Sequence, residues 1–356
     1  MTAKKVYVTL ENGKVFKGYR FGADGERMGE LVFNTNMTGY IETLTDPCYY
    51  GQIVTQTFPL IGNYGVIEED FESKKAHLFG YIVREKCDTP SNFRCEKTLD
   101  EFLKEQNVVG VYGIDTRELT KILRESGAMN AAITSKPFSD FESLKAYRIT
   151  DAVKNTTTDQ LQTCNQGGAY KVALYDLGCR NNIVKELTAR NIEVVRVPAS
   201  YTASEVLSLG VDGVVLSEGP GNPEENTQII AEIKNLIGKK PILGVGLGHE
   251  LFALALGGKV KKMKHGHRGA NQPVKNEKTG RVYISAQNHG YEVLAASVEG
   301  KISFTNVNDG TCAGIEYAEQ KAHTVQFHPA VLTDVNGNNS IFDEFIANMQ
   351  KEKTNA

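Results

Sequence analysis

The chain has 356 residues, 40% of them hydrophobic and 23% charged, with a formal net charge of −3. That length suits two domains, each able to bury its own core, and the near-neutral balance offers no broad basic surface for nucleic acid. The start, Met1-Thr2-Ala3-Lys4-Lys5-Val6-Tyr7, runs into a strand pattern without an apolar leader, and no later stretch reaches the roughly 18 uncharged apolar residues of a membrane span, so a cytoplasmic protein with neither nucleic-acid nor membrane partners is expected.

In chain order, Val6-Tyr7-Val8-Thr9-Leu10 and Val15-Phe16-Lys17-Gly18-Tyr19 read as strands joined by a hairpin at Glu11-Asn12-Gly13. Helical periodicity follows at 98–105 and at 116–125, the second preceded by Asp115 as N-cap and closed by Ser126-Gly127. Residues 1–150 therefore read as a β-rich α+β domain. Between 151 and 168 the pattern lapses into Asn155-Thr156-Thr157-Thr158 and Asn165-Gln166-Gly167-Gly168, which suits an exposed linker. From Tyr170 onward, in a domain placed at 169–356, apolar strands alternate with helices expected at 182–190, 203–209, 224–236 and 249–256. Repeated strand–helix–strand units with unalternated apolar strands imply a doubly wound, mainly parallel sheet. Ligands of such sheets bind beyond the carboxyl ends of the strands.

The loops at those ends carry the chemistry. Gly244-Val245-Gly246-Leu247-Gly248-His249-Glu250 joins a buried strand to a helix in a turn flanked by glycines. An elbow of this kind holds its central side chain above the sheet, with the next backbone N–H and the helix N-terminus facing a developing oxyanion. Alone, the run reads more simply as a tightly packed strand-to-helix connection. Leu216-Ser217-Glu218-Gly219-Pro220-Gly221-Asn222-Pro223 follows another strand, and its glycines let backbone N–H groups approach a bound group, although alone it is a turn. Ser285-Ala286-Gln287-Asn288-His289-Gly290-Tyr291 and Thr324-Val325-Gln326-Phe327-His328-Pro329 are expected to end two further strands. A lone histidine there is more often a hydrogen-bonded structural residue than a catalyst.

In order and spacing these segments resemble the class I glutamine amidotransferases, whose pattern is a G-x-C-x-G elbow after a G-P-G loop and before an H-P-E. Four more runs are similar to the small-subunit family of carbamoyl-phosphate synthases: Phe33-Asn34-Thr35-Asn36-Met37-Thr38-Gly39-Tyr40, Leu44-Thr45-Asp46-Pro47, Gly113-Ile114-Asp115-Thr116-Arg117, and Gly266-His267-Arg268-Gly269-Ala270-Asn271-Gln272-Pro273. The resemblance implies a cysteine that attacks the glutamine amide, a histidine oriented by a glutamate, and ammonia passed to a large subunit. It assigns no metal or organic cofactor to this chain, ATP and magnesium belonging to that large subunit, and implies pyrimidine and arginine synthesis.

Set on that pattern, Gly246 stands at the nucleophile position, His328 matches the histidine, and Ala330 stands at the glutamate position. A glycine cannot form a thioester, and Ala330 leaves His328 without its orienting carboxylate. Gly219 and Gly221 match the backbone contacts, Leu247 the oxyanion N–H, and Asn288, Gly290 and Tyr291 the substrate-recognition positions. Cys48 takes a place often held by serine, Glu218 one usually held by asparagine, and Glu250 one held by glutamine. Two added carboxylates would oppose the α-carboxylate of a bound amino acid while favouring its ammonium group, which calls glutamine binding into question. The six scattered cysteines form no C-x-x-C pair and argue against a zinc site or disulfide framework. Cys179, at the same rim of the sheet, is the only substitute nucleophile to weigh, and a small packing residue is the better reading of it. The leading expectation is a small subunit without glutaminase activity that supports ammonia-dependent synthesis. The alternatives are an altered form of a working glutaminase and, last, a free-standing binder of another small ligand.

Overall fold

The computed structural model describes residues 4–332 and 340–355, so Met1, Thr2 and Ala3 of the expected leaderless start lie outside the described residues. The chain divides into two compact units, Met1–Ala152 and Val153–Ala356.

In the first unit seven strands close into a barrel, in the order Lys5–Leu10, Val15–Gly22, Val109–Tyr112, Gly80–Ile82, Gln52–Gln56, Arg27–Asn34, Met129–Thr134. The expected hairpin is present, Thr9 facing Val15 across it. The hairpin signal is local, whereas the barrel also contains parallel pairs, Gln52–Gln56 lying beside both Arg27–Asn34 and Gly80–Ile82. Such pairs need crossover connections: helix Tyr40–Thr45 joins Arg27–Asn34 to Gln52–Gln56, residues 57–79 join Gln52–Gln56 to Gly80–Ile82, and helix Leu99–Glu105 lies on the way to a third parallel pair, Gly80–Ile82 with Val109–Tyr112; no short motif announces them. Helix Leu99–Glu105 starts at a capping box between Thr98 and Glu101, and helix Thr116–Ser126 starts where the Asp115 side chain accepts the Glu118 N–H. The second helix seats Leu119 and Leu123 in the core, each contributing about 1.5–3 kcal/mol of burial.

The second unit is a ten-stranded sheet. Its five middle strands, Ile192–Pro198, Tyr170–Asp176, Gly213–Leu216, Ile242–Val245 and Ala322–Val325, pair in parallel in that order. These strands are almost wholly buried, with one apolar cluster around Leu251 and Phe252 and another around Leu243 and Phe327. The sheet is α/β, and antiparallel strands extend it on both sides. Gln162–Cys164 adds one edge; Cys312–Tyr317, Lys301–Asn306, Val260–Asn276 and Val282–Val293 add the other.

Three sequence expectations are corrected. The segment 151–168, whose pattern lapses in the sequence, carries regular structure: helix Ala152–Thr156 and the strand Gln162–Cys164, paired with Val194–Arg196, although many of its residues are exposed. It is tied to the sheet at points, the Thr158 N–H donating to Asp176 Oδ2 at 2.6 Å. Residues 285–291 do not end a strand but lie inside Val282–Val293. The helix expected at 224–236 is split, since Pro223–Glu225 forms a tight turn capped by Asn222 before helix Thr227–Leu236 begins.

Candidate active site

Strand Ile242–Val245 ends at Gly246, and helix Leu247–Ala255 starts immediately after it. Gly246 adopts φ 53° and ψ −112°, a conformation that L side chains rarely take, and its N–H donates to the Val325 carbonyl at 2.9 Å. A Cβ at this position would stand 3.0 Å from Glu218 Cβ and 3.4 Å from its Cα, so a side chain here requires the neighbouring loop to give by a few tenths of an ångström. The Gly248 N–H donates to the Ser217 carbonyl at 3.0 Å, which ties the loop after Gly213–Leu216 to the first turn of the helix.

That loop comes close for a steric reason. A Cβ on Gly219 would lie 2.2 Å from the Leu177 carbonyl oxygen and 2.9 Å from Leu247 Cδ2, so only glycine fits between them. Gly221, at φ +93°, turns the chain away. Glu218 is buried, and its Oε1 accepts the Arg180 N–H at 3.0 Å.

His328 is buried at the end of the run that follows strand Ala322–Val325, and its N–H donates to the Ala286 carbonyl at 2.9 Å. This bond brings Val282–Val293, which carries Asn288, Gly290 and Tyr291, alongside the histidine. Burial, reinforced by the charges of Arg180 and His289, holds the His328 imidazole well below its ordinary value, so it is neutral near pH 7. Its Nε2 has no hydrogen-bond partner among the described residues. Ala330, in the turn Pro329–Val331, offers no carboxylate. This end of the sheet thus holds a buried, neutral imidazole with an unpartnered Nε2, and a helix that begins at a residue without a side chain.

Glu250, in the same helix, is buried and accepts the Gln326 Nε2 hydrogen at 3.0 Å. Burial pushes its carboxyl up to about 8, so it is mainly protonated at neutral pH. Near neutral pH Glu250 is therefore mainly a neutral polar group, not the added negative charge expected from the sequence. His249, also buried, bonds through Nδ1 to Thr324 Oγ1 at 2.7 Å and is driven down to about 3 by burial, which makes it a structural residue behind the elbow.

Cys179 is wholly buried in the apolar cluster with Leu174 and Ile183, and its thiol bonds to the Arg180 carbonyl at 3.2 Å, an arrangement that fits packing. Cys48 lies in the first unit, buried in the turn Pro47–Tyr49, where the Asp46 side chain accepts its N–H. Sequence reasoning missed Arg180 and Gln326, which contact Glu218 and Glu250. Each sits within two residues of a motif position already noted, and only the folded geometry assigns it a partner. Among the described residues, no group of three or more His, Cys, Asp or Glu side chains is placed to hold a metal ion, and no helix is long and apolar enough to cross a membrane.

Among solved structures, a putative GMP synthase subunit from Thermoplasma acidophilum is similar, with a TM-score of 0.46 and 23% identity over 52% of this chain and 96% of that one. The family profile of the carbamoyl-phosphate synthase small chain, CPSase domain, matches residues 8–133, and that of class-I glutamine amidotransferase matches residues 173–348. A carbamoyl phosphate synthase small chain from Clostridium perfringens is 47% identical over 345 residues, covering 96% of this chain and 99% of the relative. Another, from Fusobacterium nucleatum, is 46% identical over 347 residues, covering 96% and 97%. A pyrimidine-specific small chain from Halalkalibacterium halodurans is 44% identical over 362 residues, covering 99% of each. With two such domains in this order and near-complete coverage by full-length relatives, the chain belongs to the carbamoyl-phosphate synthase small-chain family.

Proposed function

We propose that this protein is a carbamoyl-phosphate synthase small subunit without glutaminase activity of its own, which, by binding a large subunit, supports synthesis from free ammonia in pyrimidine and arginine formation in the cytoplasm. The carrying observation is Gly246 at the head of helix Leu247–Ala255. Glutamine hydrolysis in this family's site passes through a covalent acyl-enzyme, and glycine has no atom to form it. Ala330 in place of a carboxylate adds to the loss, since nothing at that position fixes the ring of His328 or stabilises its charged form. The chain's own residues require no metal or organic cofactor for this role, and the ATP and magnesium chemistry falls to the large subunit.

A second reading, that these positions are alterations of a working glutaminase, makes the same statement about this chain. A free-standing binder of another ligand has the buried Glu218 and Glu250 in its favour. The deciding experiment measures ammonia release from glutamine, and carbamoyl phosphate formation from ammonium, by the chain with its large subunit. Silence with glutamine together with synthesis from ammonium supports the proposal. Ammonia release at the rate of an intact glutaminase would sink it, and failure to bind the large subunit would favour the free-standing binder.

A further inference from the structure

At the opposite end of the parallel strands from Gly246, three side chains meet that the proposed function leaves unused. Ser303 lies on strand Lys301–Asn306, His323 near the start of Ala322–Val325, and Glu344 on helix Ser340–Asn355. Ser303 Oγ is 3.1 Å from His323 Nε2, and His323 Nδ1 is 3.5 Å from Glu344 Oε2. With the Nδ1 proton directed at the carboxylate, Nε2 presents its lone pair to the serine hydroxyl, the order of nucleophile, base and orienting acid that acyl transfer requires.

Independent features support this order. The hydrogen bond from His323, more than any other influence, holds Glu344 below the usual carboxylate range, so the orienting group is ionised at neutral pH. The imidazole lies nearly parallel to the Phe304 ring, at 12° and 6.3 Å between centroids. Ser303 sits where the register with Cys312–Tyr317 breaks between Ile302 and Phe304, a bulge that re-aims a side chain. On the neighbouring strand a Cβ at Gly314 would stand 2.9 Å from Ser303 Oγ, so glycine there leaves the hydroxyl its space. The three residues line a cavity of about 420 Å³, together with Lys278, Lys301, Lys351 and Glu316 and the ion pair of Lys321 with Glu352, which leaves lysines in excess of carboxylates. That volume lies within the range of small-molecule sites.

We propose that Ser303, His323 and Glu344 form a second site, an acyl-transfer centre for small esters or thioesters that carry a negative charge. Ser303 Oγ attacks the acyl carbonyl while its proton passes to His323 Nε2. The resulting oxyanion collapses, breaking the bond to the alcohol or thiol, which leaves with the proton from His323. Water, giving a proton to His323, then attacks the acyl-serine and releases the carboxylic acid; the proton returns to Ser303 Oγ. No oxidant, metal or co-reactant other than water enters. The lysine ammonium groups select the anionic acyl group and offset the oxyanion charge.

The test treats the full chain with a fluorophosphonate probe and maps the adduct by mass spectrometry. The expected result is a single adduct on Ser303, absent in Ser303→Ala and formed about 100-fold more slowly in His323→Gln. Glu344→Gln, a change on a half-exposed side chain, should slow labelling about 10-fold and serves if His323→Gln does not fold. Mono-p-nitrophenyl succinate should be hydrolysed faster than p-nitrophenyl acetate. No adduct on Ser303 in the folded chain, or equal labelling of the Glu344 or His323 variant, overturns the site, and equal rates with the two esters overturn its preference for anions. The site shares no residue with the Gly246 elbow, so the outcome is independent of the proposed function.

Discussion

In the first unit, Asn34 is enclosed by groups that use it: its Nδ2 donates to Tyr49 Oη at 2.7 Å, and its Oδ1 accepts the Asn36 N–H at 2.7 Å. In the second unit His328 is as deeply buried, yet its Nε2 meets no partner among the described residues, and the helix beside it begins at a glycine in a rarely populated conformation. Both residues belong to runs that resemble family motifs. A buried polar group whose bonds are all made internally holds a fold together, whereas one left open carries a desolvation cost of about 1–3 kcal/mol that a ligand can relieve. Motif resemblance alone does not separate the two cases; hydrogen-bond satisfaction does.

The sharpest way to test the contrast is to refill the elbow. Gly246→Cys with Ala330→Glu should raise ammonia release from glutamine from background by on the order of 10³-fold or more, read in a coupled ammonia assay with the large subunit present. No gain, in a variant that folds, would mean that Glu218 and Glu250 also block the site.

Glu250 supplies the next largest effect. Its folded value, about 8, is raised from an ordinary 4.5, so between those pH values the folded state keeps a proton that the unfolded chain has released, and stability falls as pH rises through the window. Glu250→Gln keeps an acceptor for Gln326 and removes the titration. Urea unfolding should show little difference from the parent near pH 4.5 and a gain on the order of 4 kcal/mol at pH 9. A difference that does not grow with pH would contradict the buried, protonated carboxyl.

On the barrel side, Asn34→Ala should cost about 2–3 kcal/mol, because Tyr49 and the Asn36 N–H lose a buried partner at once. Ammonia-dependent synthesis by the surviving folded protein should be unaffected. Gly246→Ala should cost about 1–3 kcal/mol through backbone strain and the 3.0 Å approach to Glu218, measured by thermal unfolding. The smallest effect belongs to Asp115→Ala, about 1 kcal/mol for loss of the cap on Thr116–Ser126.

Local chemistry is legible in the order of residues alone. The Asp115 cap, the hairpin at Gly13, the strand–helix alternation after Tyr170 and the glycine at the elbow depend on interactions within a few residues, so neighbouring side chains determined them. The sequence likewise determined that no thiol stands at 246 and no carboxylate at 330, since composition at a position needs no folding. Tertiary structure decided the remainder. Closing seven strands into a barrel, pairing Gln162–Cys164 with the sheet edge, raising Glu250 by burying it against Gln326, and bringing Ser303, His323 and Glu344 together all join residues distant in the chain. Burial and partner distance are properties of the packed chain, and they set both the charge of a carboxyl and the reach of a hydroxyl.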